Sequence, residues 1–213
     1  MAKERNNTID ILRGIAMLMV ILGHTMTGCT IYSQESFLFN IVWTLQMPLF
    51  ILISGYVTKY SRRVNTLSGL LNYIGRKTVA YLLPWAVWSF LIRGIMFRRT
   101  SYLNIRWLVY HMDSGYWFLF TIWMIVIIFG IADFMGRKWN CRSKLYFGII
   151  TTGVVYVVGM IVLVTIGLIM GLDFLDIKLT LYYMPFYFAG YMYGQLEEKI
   201  VQMKSGETVK KLL

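Results

Sequence analysis

The sequence predicts an all-α integral membrane protein with about six transmembrane helices and both termini cytoplasmic. Three observations carry that prediction. Of the 213 residues, 58% are hydrophobic and only 15% are charged, against about 25% charged in an ordinary soluble domain, and the mean hydropathy is +0.60. The apolar residues gather into runs of about 20, the length that crosses a bilayer core. Nearly all the Lys and Arg residues lie in the gaps between those runs. A water-soluble enzyme with a polar surface is excluded, and so is a disordered chain, since 16% aromatic residues and three prolines are the opposite of a disordered composition. The net charge of +11 does not point to nucleic acid, because the basic residues form no single stripe.

The runs fall at about Ile9–Gly28, Phe37–Val57, Val79–Phe97, Tyr116–Phe134, Tyr146–Gly171 and Leu179–Leu196. The first is too long for the core of a signal peptide, for which 7–15 apolar residues suffice, and no small-x-small cleavage site follows it. The fourth opens on Tyr116 and Trp117 and the sixth closes on Tyr191 and Tyr193, the aromatic residues that mark membrane interfaces. With six spans both ends share a side, and the basic residues choose it. Lys3, Arg5, Lys59, Arg62, Arg63, Arg76, Lys77, Arg137, Lys138, Arg142, Lys144, Lys199, Lys204, Lys210 and Lys211 then face the cytoplasm. Only Arg93, Arg98, Arg99, Arg106 and Lys178 face the other way. The Arg93–Arg106 cluster runs against the rule, so it is either an anion-binding patch or the mark of a miscounted span. Cys29 and Cys141 fall on opposite sides in this topology, which excludes a disulfide between them. His24 and His111 have no metal-ligand spacing, so no metal is expected.

The first span holds Arg13 and His24, 11 residues apart. At about 100° per residue that is three turns plus roughly 20°, with a rise of about 16 Å, so the two share a face. Charged groups inside a membrane cost on the order of 3 kcal/mol and usually face protein or a water-filled cavity. Two readings stand. Arg13 snorkels to the cytoplasmic surface, paired with Asp10 one turn earlier, while His24 is a hydrogen-bonded interior residue near the outer interface; or the pair forms a polar track on which Arg13 grips an anion and His24 moves a proton near neutral pH. Gln46, Ser54, Ser89, Thr121 and Asp133 are further polar groups inside spans. Ser54 with Gly55 suits close helix packing, and Asp133 with Arg137 suits an i,i+4 ion pair.

These residues carry a resemblance. Asp10-Ile11-Leu12-Arg13-Gly14-Ile15-Ala16 followed by His24 resembles the first helix of membrane acyltransferase family 3. Met47-Pro48-Leu49-Phe50-Ile51-Leu52-Ile53-Ser54-Gly55-Tyr56 resembles its MPLFFFISGY stretch, Arg76-Lys77 with Tyr81-Leu82-Leu83-Pro84-Trp85 its basic approach to the third helix, Tyr116-Trp117-Phe118-Leu119 its WFL start of a later helix, and Met184-Pro185-Phe186-Tyr187-Phe188-Ala189-Gly190-Tyr191 its PFFLLG stretch. Five motifs in order cover residues 5–195, and within the family the group related to fucose 4-O-acetylase is the nearest in character.

The resemblance implies an O-acyltransferase of the bacterial inner membrane that moves an acyl group, usually acetyl from acetyl-CoA, to a hydroxyl of an envelope or exported carbohydrate. It implies His24 as the catalytic residue and Arg13, Arg76 and Lys77 as donor-binding residues. Trp117 and His111 are candidates for contact with the acceptor sugar. The expected partners are the lipid bilayer and the carbohydrate acceptor. Residues 1–196 then form one acyltransferase-3-like transmembrane domain, and 197–213 a cytoplasmic polar tail. Two departures stand out. The second arginine usual before the third helix is absent unless Lys77 replaces it, and the family usually has about ten spans, so the chain reads as shortened at its C-terminus. The alternatives are therefore an inactive remnant, a compact form completed as a homo-oligomer, or a small transporter lined by Arg13, Gln46 and His24.

Overall fold

The computed structural model describes residues 7–29, 36–61, 64–112, 117–139 and 145–212, and it contains no strand among them. Seven α-helices follow in order: α1 Asn7–Cys29, α2 Phe37–Tyr56, α3 Leu67–Ala86, the short α4 Ile105–Tyr110, α5 Trp117–Trp139, α6 Leu145–Met170 and α7 Ile177–Leu212. Five helical stretches are long and apolar enough to cross a membrane: Asn7–Cys29, Phe37–Tyr60, Leu67–Met96, Trp117–Lys138 and Gly148–Met170. The chain is an all-α, multi-pass membrane protein. The sixth expected span lies inside α7. Its tyrosines at 182, 183, 187, 191 and 193 keep it less apolar than the other five.

The largest departure from the sequence reading is α3. A span was expected to begin at Val79, but the helix starts at Leu67, where the Thr66 hydroxyl accepts a hydrogen bond from the Gly69 backbone N–H at 3.1 Å and caps the first turn. Arg76 and Lys77 therefore sit inside a helix and not in the loop before it. Three residues after Pro84 the α-helix gives way to a π-helix, Val87–Met96. Proline supplies no N–H and crowds the preceding turn, and wider turns are a common response to such a defect.

The chain divides into two compact units, Met1–Ser61 with Pro185–Leu213, and Arg62–Met184. In the first unit, α1 buries Ile9, Ala16 and Gly23, a stripe repeating every seven residues that suits a side-by-side helix pair. Ile9 and Ala16 pack with Ile53 and Tyr56, whereas Gly23 lies by Val42 and Gln46, so α1 and α2 are antiparallel. The α2–α7 seam is tighter. A Cβ added to Gly55 would fall 1.9 Å from the Tyr187 carbonyl oxygen, and one on Gly190 would fall 1.9 Å from that of Leu52. Only glycine permits such an approach. Gly190 and Gly194 form a G-x-x-x-G pair, the small-residue pattern by which membrane helices bring their backbones together.

In the second unit α5 is the hub. Trp123 Nε1 donates to Thr78 Oγ1 of α3 at 3.1 Å, and the Tyr73 ring fills the space beside Gly130. Toward α6, Phe129 meets Tyr156 edge-on at 6.0 Å. The Tyr156 hydroxyl in turn donates to the Met184 carbonyl at 3.2 Å. Within α5, Arg137 Nε donates to Asp133 Oδ2 at 2.8 Å, the i,i+4 pair expected from the spacing.

Candidate functional site

His24 lies on the exposed face of α1, one residue from the buried Gly23. Its ring stands edge-on to Trp43 of α2, with centroids 6.1 Å apart and planes at 79°. Trp43 is itself stacked on Phe39 at 5.3 Å, so a packed aromatic pair holds one side of the imidazole while the rest stays accessible. One turn along α2 from Trp43, Gln46 is 3% exposed. Its amide oxygen Oε1 is buried without a hydrogen-bond partner and would stand 2.9 Å from a Cβ on Gly23. Glycine at 23 thus lets the amide lie against the α1 backbone. Arg13 is exposed on the same helix, as the helical spacing requires.

At the opposite end of α2, a polar cluster joins α2 to α7. Lys59 Nζ donates to Glu197 Oε2 at 2.6 Å and to the Tyr56 hydroxyl at 2.5 Å, and the Tyr56 hydroxyl donates to the same carboxylate oxygen. Lys59 also lies 4.9 Å from the centre of the Tyr60 ring. The hydrogen bonds from Lys59 and then Tyr56 hold the Glu197 carboxyl below its ordinary range. Sequence reading missed this cluster: Lys59 passed for a topology determinant and Glu197 for part of a polar tail. The available signal was a lysine at the end of an apolar run, three residues beyond Tyr56.

The remaining candidates belong to the second unit. Arg76 is exposed and Lys77 half-buried, with the Lys77 ammonium between the rings of Tyr73 and Tyr81, 5.7 and 5.8 Å from their centres. Lys77 is thus engaged by its own helix, while Arg76 projects outward. Trp117 is stacked on Tyr183 at 5.8 Å and 12°, so one face of its ring is occupied within the protein. His111 lies flat on Trp107, centroids 4.6 Å apart and planes at 4°, and its Nδ1 donates to the Trp107 carbonyl at 2.9 Å. Tyr116, expected beside Trp117, falls outside the described residues, as do Cys141, Arg62 and Arg63. Of the other polar groups anticipated inside spans, Ser89 and Thr121 are fully buried. Thr121 donates to Asp176 Oδ2 at 2.9 Å. Asp176 was not anticipated. It and Leu175 both have left-handed backbones, at φ 53 and φ 51.

The comparisons with known proteins fit this arrangement. A family described as "Acyltransferase domain" matches residues 6–209, nearly the whole chain and all five motifs. The chain belongs to this acyltransferase family. Among curated proteins it is similar to the nodulation protein NolL of Sinorhizobium fredii, with 24% identity over 158 residues covering 68% of this chain and 42% of that protein. The chain therefore spans less than half the length of the curated relative it matches. No solved structure matches.

The family motifs have structural consequences here. The ISGY stretch supplies Gly55 and Tyr56, and the Pro-Phe-Tyr-Phe-Ala-Gly stretch supplies Tyr187 and Gly190. Together they make the α2–α7 seam. The D-x-x-R motif and His24 lie on α1, across α2 from nothing so tight. Within this family member, two motifs build the scaffold of the first unit and the third leaves its imidazole and guanidinium accessible.

Proposed function

We propose that the chain acts as an integral-membrane O-acyltransferase, moving an acyl group, acetyl in the simplest case, from acyl-CoA to a hydroxyl of an envelope or exported carbohydrate at the bacterial inner membrane. The observation that carries this reading is the placement of His24: an accessible imidazole within a membrane-spanning helix, braced by Trp43, in a chain of the acyltransferase family.

The chemistry asks little else. The His24 imidazole takes the proton of the acceptor hydroxyl as its oxygen attacks the thioester carbonyl carbon. The carbon–sulfur bond then breaks, coenzyme A leaves as the thiolate, and the imidazolium returns the proton to that sulfur. An exposed guanidinium suits phosphate groups, being planar and permanently charged, and this gives Arg13 the role of holding the donor. Arg76 projects from α3 in the second unit and is a further candidate for the donor's phosphates, whereas Lys77, enclosed by two tyrosines, is better suited to positioning. In the second unit, Trp117 and His111 are the candidate contacts for the acceptor sugar, their rings held in place by stacking on Tyr183 and Trp107.

The test is transfer of label from radiolabelled acetyl-CoA to envelope polysaccharide in membranes bearing the chain, beside the His24→Ala variant. Incorporation by the unaltered protein alone is expected. Equal incorporation by both would remove His24 from the reaction, and none by either, with the protein folded and inserted, would overturn the activity.

A further inference from the structure

From the π-helix through α4 the sequence carries four arginines, Arg93, Arg98, Arg99 and Arg106, and no acidic residue from Val87 to Met112. The acyl-transfer chemistry uses none of them. The backbone turns sharply between the first and the last of them. The Arg99 N–H donates to the Arg93 carbonyl at 3.1 Å, and Phe97 N–H to that of Ile92 at 3.0 Å. The first bond runs back six positions, one more than in the common ending of an α-helix because the preceding turn is π, and Arg98 between has a left-handed backbone at φ 50. Helix endings of this kind usually place glycine at the left-handed position. An arginine there costs roughly 1 kcal/mol in backbone strain, and such strain at a polar surface motivates a search for function. Gly94, against the Leu103 side chain, fixes the following Thr100–Leu103 turn on the π-helix, and Asn104 caps α4 by accepting from the Arg106 N–H at 3.0 Å.

The side chains alternate in character. Arg98, Arg99 and Arg106 are exposed, while Met96, Phe97 and Ile105 beside them are each 68% exposed. Large apolar groups open to the surroundings and interleaved with cations, at the end of a membrane-crossing helix, match the boundary between acyl chains and headgroups. A soluble anion would explain the arginines but not the apolar groups. Neutral lipid would explain the apolar groups but not the three exposed arginines, Arg98, Arg99 and Arg106.

We propose that the turn from Met96 to Arg106 is a binding site for the headgroup of an anionic phospholipid, with Arg98, Arg99 and Arg106 on its phosphate and Met96, Phe97 and Ile105 among its acyl chains. This goes beyond acyl transfer and does not depend on it. Each exposed arginine near a charged membrane surface contributes about a fivefold preference, so three contribute on the order of 100-fold.

The test uses the full chain in detergent, exchanged against mixed micelles of phosphatidylglycerol and phosphatidylcholine in equal amounts, with retained lipid read by native mass spectrometry. Phosphatidylglycerol is expected to be retained selectively, the selectivity falling about 100-fold in the Arg98→Gln/Arg99→Gln/Arg106→Gln triple variant and surviving largely in the corresponding Lys triple. Arg98→Gly, which relieves the left-handed strain while removing one charge, is expected to keep or raise the melting temperature and lose about fivefold in selectivity; this variant keeps the test decisive even where the triple variant does not fold. Equal retention of the two lipids by the unaltered protein, or unchanged selectivity in Arg98→Gly and the Gln triple, would overturn the proposal. Displacement of the lipid by millimolar inorganic phosphate would overturn the lipid source and leave a small-anion site.

Discussion

The two ends of α2 treat their polar residues differently. At the Tyr56 end, Lys59 meets the Tyr56 hydroxyl and Glu197, and α7 is pressed so close that Gly55 and Gly190 admit no side chain. At the Trp43 end, His24 is exposed and the Gln46 amide oxygen is buried without a partner. In hydrocarbon, where helices gain nothing from excluding water, close backbone packing and satisfied polar groups are what hold them together. The first end has both. The second has a reactive ring and an unused acceptor, and these add nothing to stability. Such groups are the better candidates for chemistry.

This contrast can be broken first at the seam. Gly190→Leu places a side chain where the Leu52 carbonyl stands, and we expect loss of on the order of 4 kcal/mol or more, seen as failure to recover a monodisperse protein by size-exclusion chromatography. A normal profile would mean that α2 and α7 are not so closely packed. At the other end, His24→Ala is expected to lower acyl transfer by about 100-fold or more, with the melting temperature nearly unchanged because the ring is exposed. A large fall in melting temperature would reassign His24 to the scaffold.

Smaller effects sharpen the same comparison. Glu197→Gln removes the charge that Lys59 faces and should cost about 1 kcal/mol, less than a buried hydrogen bond to a charged group because the Glu197 side chain is 39% exposed. Because the Glu197 carboxyl is held below its ordinary range by Lys59 and Tyr56, its contribution is fully present above the ordinary Glu value and is lost as pH falls through the lowered one. Thermal unfolding followed against pH should therefore show an acid-side loss in the unaltered protein that is smaller in Glu197→Gln. The smallest effect is expected for Gln46→Met, of similar length and without the unpartnered oxygen. Its melting temperature should be unchanged or slightly raised, and a clear fall would reveal a partner for the amide.

Much of this was legible in the sequence. The first two runs were expected at Ile9–Gly28 and Phe37–Val57 and are found at Asn7–Cys29 and Phe37–Tyr56, because about 20 apolar residues with polar flanks leave little choice of boundary. The start of α3 was not legible. Arg76 and Lys77 read as a loop on hydropathy, yet both are good helix formers and Thr66 supplies the cap. The sixth run illustrates the same limit from the other side: its tyrosines weaken the apolar signal, and what makes Tyr187 and Tyr191 suitable there is their burial within the first unit.

By itself, the sequence determined the class of the protein, the positions of most helices, the shared face of Arg13 and His24, and the Asp133–Arg137 pair. All of these depend on composition or on spacing within a single helix, where geometry is fixed by the backbone. Tertiary structure alone decided that Gly55 and Gly190 face each other's helices, that Lys59 pairs with Glu197 138 residues away, and that Thr121 meets Asp176. Contacts between helices depend on which faces meet, and the periodicity of one helix carries no information about its neighbour's.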